Sequence, residues 1–222
     1  MTRKLVVFDV DGTLVDSQAD IIHAMTAAFA AIGAPAPSRG QVLSIVGLSL
    51  PQAIARLSPG QSEAVLAQMV DAYKEAYFDR MEGGAPEPLF DGAREVLTLL
   101  NSREDFVLGV ATGKSRRGLD RLIEAHGLVD MFVTLQTGDV HASKPHPEML
   151  QAALAEADVE PDAAVMIGDT SYDMGMARAA GVAAFGVTWG YHRAEELGEA
   201  TRLVSHFHEV PPALAQLWRY PV

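Results

Sequence analysis

Cysteine is absent from the 222 residues. Disulfides, thiolate zinc sites and cysteine nucleophiles are therefore excluded. Basic residues are scarce: 17 Lys and Arg stand against 29 Asp and Glu, a formal net charge of −12. Apart from Lys114, Arg116 and Arg117 the cations are scattered, too few together for a nucleic-acid footprint. Nucleic acid and anionic membrane surfaces are expected to be repelled. Long apolar runs are missing as well. A membrane-spanning helix needs roughly 20 apolar residues; the Ala-rich run over residues 21–32 is short and contains His23 and Thr26. The first apolar stretch is broken by Asp9, too soon for a secretory signal, so a cytoplasmic location is expected.

What is present is ordinary for a folded chain: 49% hydrophobic and 21% charged residues. The length allows one sizeable core and a small accessory domain. Short β-branched and apolar runs at 4–10, 106–112, 132–135, 163–167 and 182–187 read as buried parallel strands, with a sixth candidate at 202–205. Helical patterns at 91–101, 115–126, 146–157 and 173–180 lie between them. Such alternation predicts an α/β fold with a doubly wound, Rossmann-like parallel sheet. Residues 17–81 break the pattern. Ile22, Met25, Phe29 and Ile32, and again Leu66, Met69, Tyr73 and Tyr77, recur at helical spacing, with shorter helices expected at 42–46 and 51–57. Asp16-Ser17 is the expected N-cap of the first of these helices. The segment is predicted to be an inserted alpha-helical cap. Gly83-Gly84-Ala85-Pro86-Glu87-Pro88 reads as its return linker. The division expected is a core of residues 1–15 and 84–222 and a cap of residues 16–83.

In an open parallel sheet the ligand sits beyond the carboxyl ends of the strands. Asp9-Val10-Asp11-Gly12-Thr13 follows the first strand directly. Two carboxylates so placed are costly unless a cation or a substrate compensates them. Taken alone the motif is as compatible with a solvated acidic turn; a calcium loop of the EF-hand type is excluded because its glycine is misplaced and a buried strand precedes it. A second acidic pair strengthens the case. Gly168-Asp169 ends another strand, and Asp173, open also to a helix-capping role, comes four residues later. Acidic strand ends on one sheet open onto the same edge and make an oxygen-rich site suited to Mg²⁺. Thr112-Gly113, at a strand end before a helix, suits an anion. Lys144 lies in a loop before Pro145 in the same strand–loop register, although a lone lysine is more often a surface cation. Gly113-Lys114-Ser115 mimics the end of a nucleotide-binding P-loop, but the preceding glycine is one residue out of place.

These residues together resemble the haloacid dehalogenase superfamily of phosphohydrolases. The matching motifs, Asp9 through Ser17, Thr112, Lys144, and Gly168-Asp169 with Asp173, occur in the superfamily's order and span nearly the whole chain. The stretch from Lys144 to Glu148, residues 168–181, and Gly190-Tyr191 are similar to the phosphoglycolate phosphatase group, although that group commonly has Thr-Asn-Lys where this chain has Thr112-Gly113-Lys114. The resemblance implies a phosphatase acting on a small phosphorylated metabolite through an aspartyl-phosphate. Asp9 would be the nucleophile and Asp11 the general acid and base. Asp9, the Asp11 main-chain carbonyl and Asp169 would hold Mg²⁺. Asp173 would support a water on the metal or orient Lys144, and Thr112, Gly113 and Lys144 would bind the phosphoryl group. Gly47 and Ser49 in the cap are expected to contact the leaving group. The substrate expected is a small phosphomonoester such as 2-phosphoglycolate. Inorganic pyrophosphate or a nucleotide is the alternative, followed by a β-phosphoglucomutase-type phosphomutase, which usually has serine where Thr112 stands, and then by a regulatory protein on the same scaffold. A monomer or weak homodimer is expected, with no nucleic-acid or membrane partner.

Overall fold

The computed structural model describes residues 3–219. Six strands, β1 (Lys4–Phe8), β2 (Phe106–Thr112), β3 (Phe132–Thr137), β4 (Ala164–Gly168), β5 (Ala183–Val187) and β6 (Arg202–Val204), form one sheet in the order β3-β2-β1-β4-β5-β6. Every neighbouring pair is parallel. The expected strands are present, with ends displaced by at most two residues and β2 as expected. The sheet grows from β1 in both directions, so the topology reverses between β1 and β4, where a parallel sheet opens a crevice for ligand.

The pleat sorts the side chains of β1 into two layers. Val6 and Phe8 face a core made with α5 (Ala93–Asn101), α6 (Arg116–Ala125) and the C-terminal α9 (Val210–Trp218). Leu5 and Val7 face a second core made with α7 (Glu148–Ala157) and α8 (Ser171–Ala180). Helix α9, not foreseen from the sequence, begins with prolines at its first positions, where no intrahelical donor is lost, and buries Val210, Ala213 and Leu214.

Between β1 and α5 the chain forms α1 (Gln18–Ala30), α2 (Arg39–Leu43), α3 (Leu50–Leu57) and α4 (Glu63–Gly83). These helices enclose an apolar cluster of their own, including Met25, Phe29, Ile54 and Met69. Helix α1 packs chiefly on α4. The outgoing and returning segments run side by side: Val15 bridges Leu89, and Asp16 N donates to Pro88 O at 2.9 Å. The cap signal at Asp16-Ser17 is built differently from the expectation. Asp16 Oδ1 accepts from Gln18 N at 3.3 Å, whereas Ser17 Oγ lies 3.2 Å from the Tyr191 hydroxyl. No helix among the described residues is long and apolar enough to cross a membrane.

Candidate active site

The register of the sheet brings the acidic motifs together. Phe8 pairs with Ile167, and Asp9 N donates to Ile167 O at 2.9 Å, so Asp9 and Asp169 leave adjacent strands at the same height. Asp9, Asp169 and Asp173 are buried, and each offers a carboxylate oxygen within 4.8 Å of the others. Lys144, fully buried, places Nζ 2.8 Å from Asp9 Oδ1 and 2.6 Å from Asp173 Oδ1. It is not a surface cation. Its bond to Pro145 is cis.

Asp173 answers both readings of its sequence position. With Thr170 it forms a capping box at the start of α8. Its Oδ2 accepts from Thr170 N at 3.0 Å and from Thr170 Oγ1 at 2.6 Å, while Oδ1 holds Lys144. Asp169 accepts one bond per oxygen, from Thr13 Oγ1 at 3.0 Å and from Tyr191 N at 2.8 Å. Asp9 Oδ2 has no hydrogen-bond partner among the described residues.

Burial pushes the Asp9 carboxyl up to about 7; the Lys144 ammonium opposes the rise, and Asp173 and Asp11 add to it. Burial, then the charges of Asp9 and Asp173, hold Asp169 well above the usual carboxylate range. Burial pulls Lys144 down, but Asp173 and Asp9 outweigh it and the lysine is held above its ordinary value. Ionised together, three carboxylates against one ammonium would leave two negative charges in a buried place. A divalent cation with hard oxygen ligands would cancel them. The donor set and the unpartnered Asp9 oxygen therefore fit Mg²⁺.

The second half of the site faces the cap. Asp11 Oδ1 lies 3.0 Å from Lys114 Nζ. Lys114 also lies 2.5 Å from the Tyr77 hydroxyl and 3.3 Å from Glu87 Oε1, and Tyr77 in turn donates to Glu87 Oε1 at 2.5 Å. Burial lowers Lys114, but Asp11, Tyr77 and Glu87 together hold it well above the ordinary lysine range. Burial raises the Glu87 carboxyl. Lys114, two residues beyond Thr112, points to Asp11 and the cap.

Sequence reasoning gave no site role to Tyr77, Glu87 or Tyr191. Tyr77 counted only as part of an apolar stripe, and Glu87 as a polar residue in a Gly/Pro linker. Its flanking prolines are a signal of fixed backbone, but nothing in the pattern marks a buried carboxylate. The start of α6, expected to be open to an anion, is already occupied: Arg116 N donates to both oxygens of Asp139, at 3.2 and 3.1 Å, and Ser115 Oγ accepts from Gly118 N. Thr112 is buried, with Oγ1 3.2 Å from Lys114 N.

A cavity of about 350 Å³ lies between Asp11, Gly113 and Lys114 on the core and Gly47, Leu48 and Tyr77 on the cap. Gly47 thus lines the space where the leaving group was expected. Ser49 does something else: its N–H donates to Ser143 Oγ at 2.8 Å, and its side chain does not cap α3. The glycine at position 113 has a steric reason. A Cβ there would meet Leu48 O at 2.5 Å and Gly47 O at 2.8 Å, so the cap backbone approaches this strand end more closely than asparagine would allow.

The model of the haloacid dehalogenase-like hydrolases matches residues 6–187. The chain belongs to this family. As a member it is an enzyme of the hydrolase type, and the buried strand-end carboxylates are its expected chemical centre. The chain is 36% identical over 213 residues to a protein named "Probable phosphatase IndB" from Dickeya dadantii, covering 94% of this chain and 92% of that one. It is 31% identical over 202 residues to a phosphoglycolate phosphatase from Vibrio vulnificus, covering 87% of each. Among solved structures, a haloacid dehalogenase-like hydrolase from Bacteroides fragilis superposes with a TM-score of 0.87 at 25% identity, covering 94% of this chain and 100% of that one.

Proposed function

We propose that this hydrolase is a Mg²⁺-dependent phosphatase that releases inorganic phosphate from a small, acidic phosphomonoester such as 2-phosphoglycolate. The observation that carries the reading is the pairing of Asp9 and Asp11 at the end of β1, each with its own buried lysine. Phosphatases among the relatives support it.

In this reading one Asp9 oxygen attacks phosphorus in line, forming an O–P bond as the bond to the leaving oxygen breaks. Asp11 gives its proton to that leaving oxygen. Asp11 then takes a proton from water as the water attacks phosphorus, which frees phosphate and restores the Asp9 carboxylate. Lys144 holds Asp9 in place and, with Thr112 and Gly113, faces the phosphoryl oxygens. Asp9, Asp169 and the Asp11 main-chain carbonyl would hold Mg²⁺, with Asp173 supporting them; the ion would supply positive charge to the phosphoryl oxygens. Residues 16–83 act as the cap, and the described residues up to 15 and from 84 onward as the core, with the paired segments at Asp16 and Pro88 as the hinge.

The test is phosphate release from a panel of phosphomonoesters, pyrophosphate and a nucleotide, with Mg²⁺ and with EDTA. Mg²⁺-dependent turnover that is highest on the small acidic monoester supports the reading. Turnover in EDTA equal to that in Mg²⁺, or preference for pyrophosphate, overturns the corresponding part of it.

A further inference from the structure

Of the two buried lysines, Lys144 is explained by the phosphoryl chemistry; Lys114 is not. Its side chain is 6% exposed, yet it lines the cavity of about 350 Å³ under the cap. A buried ammonium is costly unless it is paired. Here two separate stretches of chain hold it: Tyr77 from α4, through both its hydroxyl and its ring face, with Nζ 4.9 Å from the centroid, and Glu87 from the return linker. The cap side of the cavity is otherwise largely apolar, with Ile21, Met25, Ile45 and Val46 among its lining. The other charged groups lining it, Lys74 and Asp139, are exposed.

We propose that Lys114 is the specificity-determining residue of this site: its ammonium receives a carboxylate carried on the carbon next to the ester oxygen of the leaving group. The inference rests on the phosphatase reading above and adds to it the group that selects the substrate. Its geometry is simple. Asp11 must touch the ester oxygen to protonate it, and Lys114 Nζ sits 3.0 Å from Asp11 Oδ1. In a two-carbon phosphoacid the carboxyl carbon is two bonds from that ester oxygen, so a carboxylate placed there falls within reach of the ammonium. The three N–H groups of Lys114 face Asp11, Tyr77 and Glu87. When Asp11 turns to the ester oxygen, the substrate carboxylate takes its place on Lys114. One carboxylate replaces another, and no buried charge is left unpaired. Tyr77 and Glu87 keep the ammonium from following Asp11.

The experiment compares kcat/KM for 2-phosphoglycolate, for 2-hydroxyethyl phosphate, which has the same two-carbon skeleton with a neutral hydroxymethyl group in place of the carboxylate, and for p-nitrophenyl phosphate. Wild type is expected to prefer the acid over the alcohol by on the order of 100-fold, the size of effect that one desolvated charge pair supplies. Lys114→Met is expected to bring that ratio close to one, mainly through KM for the acid, and Lys114→Arg to keep part of it. Tyr77→Phe, which leaves the charge but loosens its anchor, is expected to fall between. Each ratio is taken on one preparation, so a partly folded variant does not distort it. A wild type without preference for the acid, or a Lys114→Met that keeps it, overturns the inference while hydrolysis of p-nitrophenyl phosphate leaves the phosphatase reading standing. No phosphate release from any of the three overturns both.

Discussion

Lys144 and Lys114 are both buried, both paired with carboxylates, and both held above the ordinary lysine range, yet the structure supports them in different ways. Every partner of Lys144 comes from the core: Asp9 ends β1, and Asp173 is fixed in the first turn of α8 by its capping box. Sheet register and a helix start set that geometry with no ion-pair partner drawn from the cap. The partners of Lys114 come from three places: Asp11 from the core, Tyr77 from the cap and Glu87 from the segment that joins them. That half of the site is complete only when cap and core meet. On the proposed reading, the chemistry that every phosphomonoester shares falls to the core half, and discrimination among leaving groups to the assembled half.

The strongest way to break the core half is Asp9→Asn. The amide cannot form an acyl phosphate, so turnover should fall by about 10⁴-fold or more. The loss should be equal for acidic and neutral substrates, because in the proposed mechanism Asp9 bonds to phosphorus, which both share, and not to the leaving group's substituents. Single-turnover assays on both classes check this. Unequal losses would show that Asp9 also takes part in discrimination.

Next in size, Asp11→Asn and Asp169→Asn separate the two halves. Asp11→Asn removes the proposed acid–base carboxylate and one of the partners of Lys114, and should lower kcat on the order of 100-fold. The Mg²⁺ concentration for half-maximal rate should stay where it is, since the proposed metal contact of residue 11 is main-chain. Asp169→Asn should raise that concentration instead. Titrating Mg²⁺ against rate in both variants reads the difference, and equal curves would contradict the division of roles.

The core half was the legible one. Asp9, Asp11, Asp169 and Thr112 lie at strand ends, and a buried strand is written in a few consecutive apolar residues. Parallel pairing then forces such ends onto one edge. The Lys114 assembly was illegible for the opposite reason. Tyr77 and Glu87 meet because α4 runs back to the core and the linker doubles along residues 84–88, a tertiary coincidence that no local period encodes. Gly113 illustrates the same limit: in the sequence it is a departure from the common Thr-Asn-Lys, and only the position of Gly47 and Leu48 shows that it admits the cap backbone. Helix α9 was missed because its opening prolines and short length hide a helical stripe of buried residues.

A smaller effect should appear in stability. The Asp9 carboxyl, raised from 3.8 to about 7 by burial, binds its proton more tightly in the folded chain than in the unfolded one. That contribution is fully present below pH 3.8 and is lost as pH rises through 7. In EDTA, Asp9→Asn does not titrate, so its melting temperature should gain on wild type across that window and hold its lead above it. At roughly 2–4 °C per kcal/mol for a chain of this size, differential scanning calorimetry resolves the gap. Added Mg²⁺ should raise the wild-type melting temperature at pH 8 and raise that of the variant much less. A gap independent of pH would remove Asp9 from the set of groups strained by burial.

The smallest effects sharpen the cap half. Gly47 has φ +97°, and a Cβ there would stand 3.0 Å from Thr170 Oγ1, the hydroxyl that holds Asp173. Gly47→Ala should cost about 1–2 kcal/mol of stability from backbone strain. It should also slow all substrates together, because the push is transmitted through Thr170 and Asp173 to Lys144 and not to Lys114. Ser49→Ala keeps the backbone N–H that binds Ser143, so its stability should change by less than about 0.5 kcal/mol. Its preference between 2-phosphoglycolate and 2-hydroxyethyl phosphate should match wild type. Thermal melts with paired kcat/KM measurements on both variants decide the matter. A changed acid-to-alcohol ratio in well-folded Ser49→Ala would place discrimination in the cap loop beside α3, and a changed ratio in Gly47→Ala would show that the two lysine-centred halves are coupled through the cap instead of acting separately.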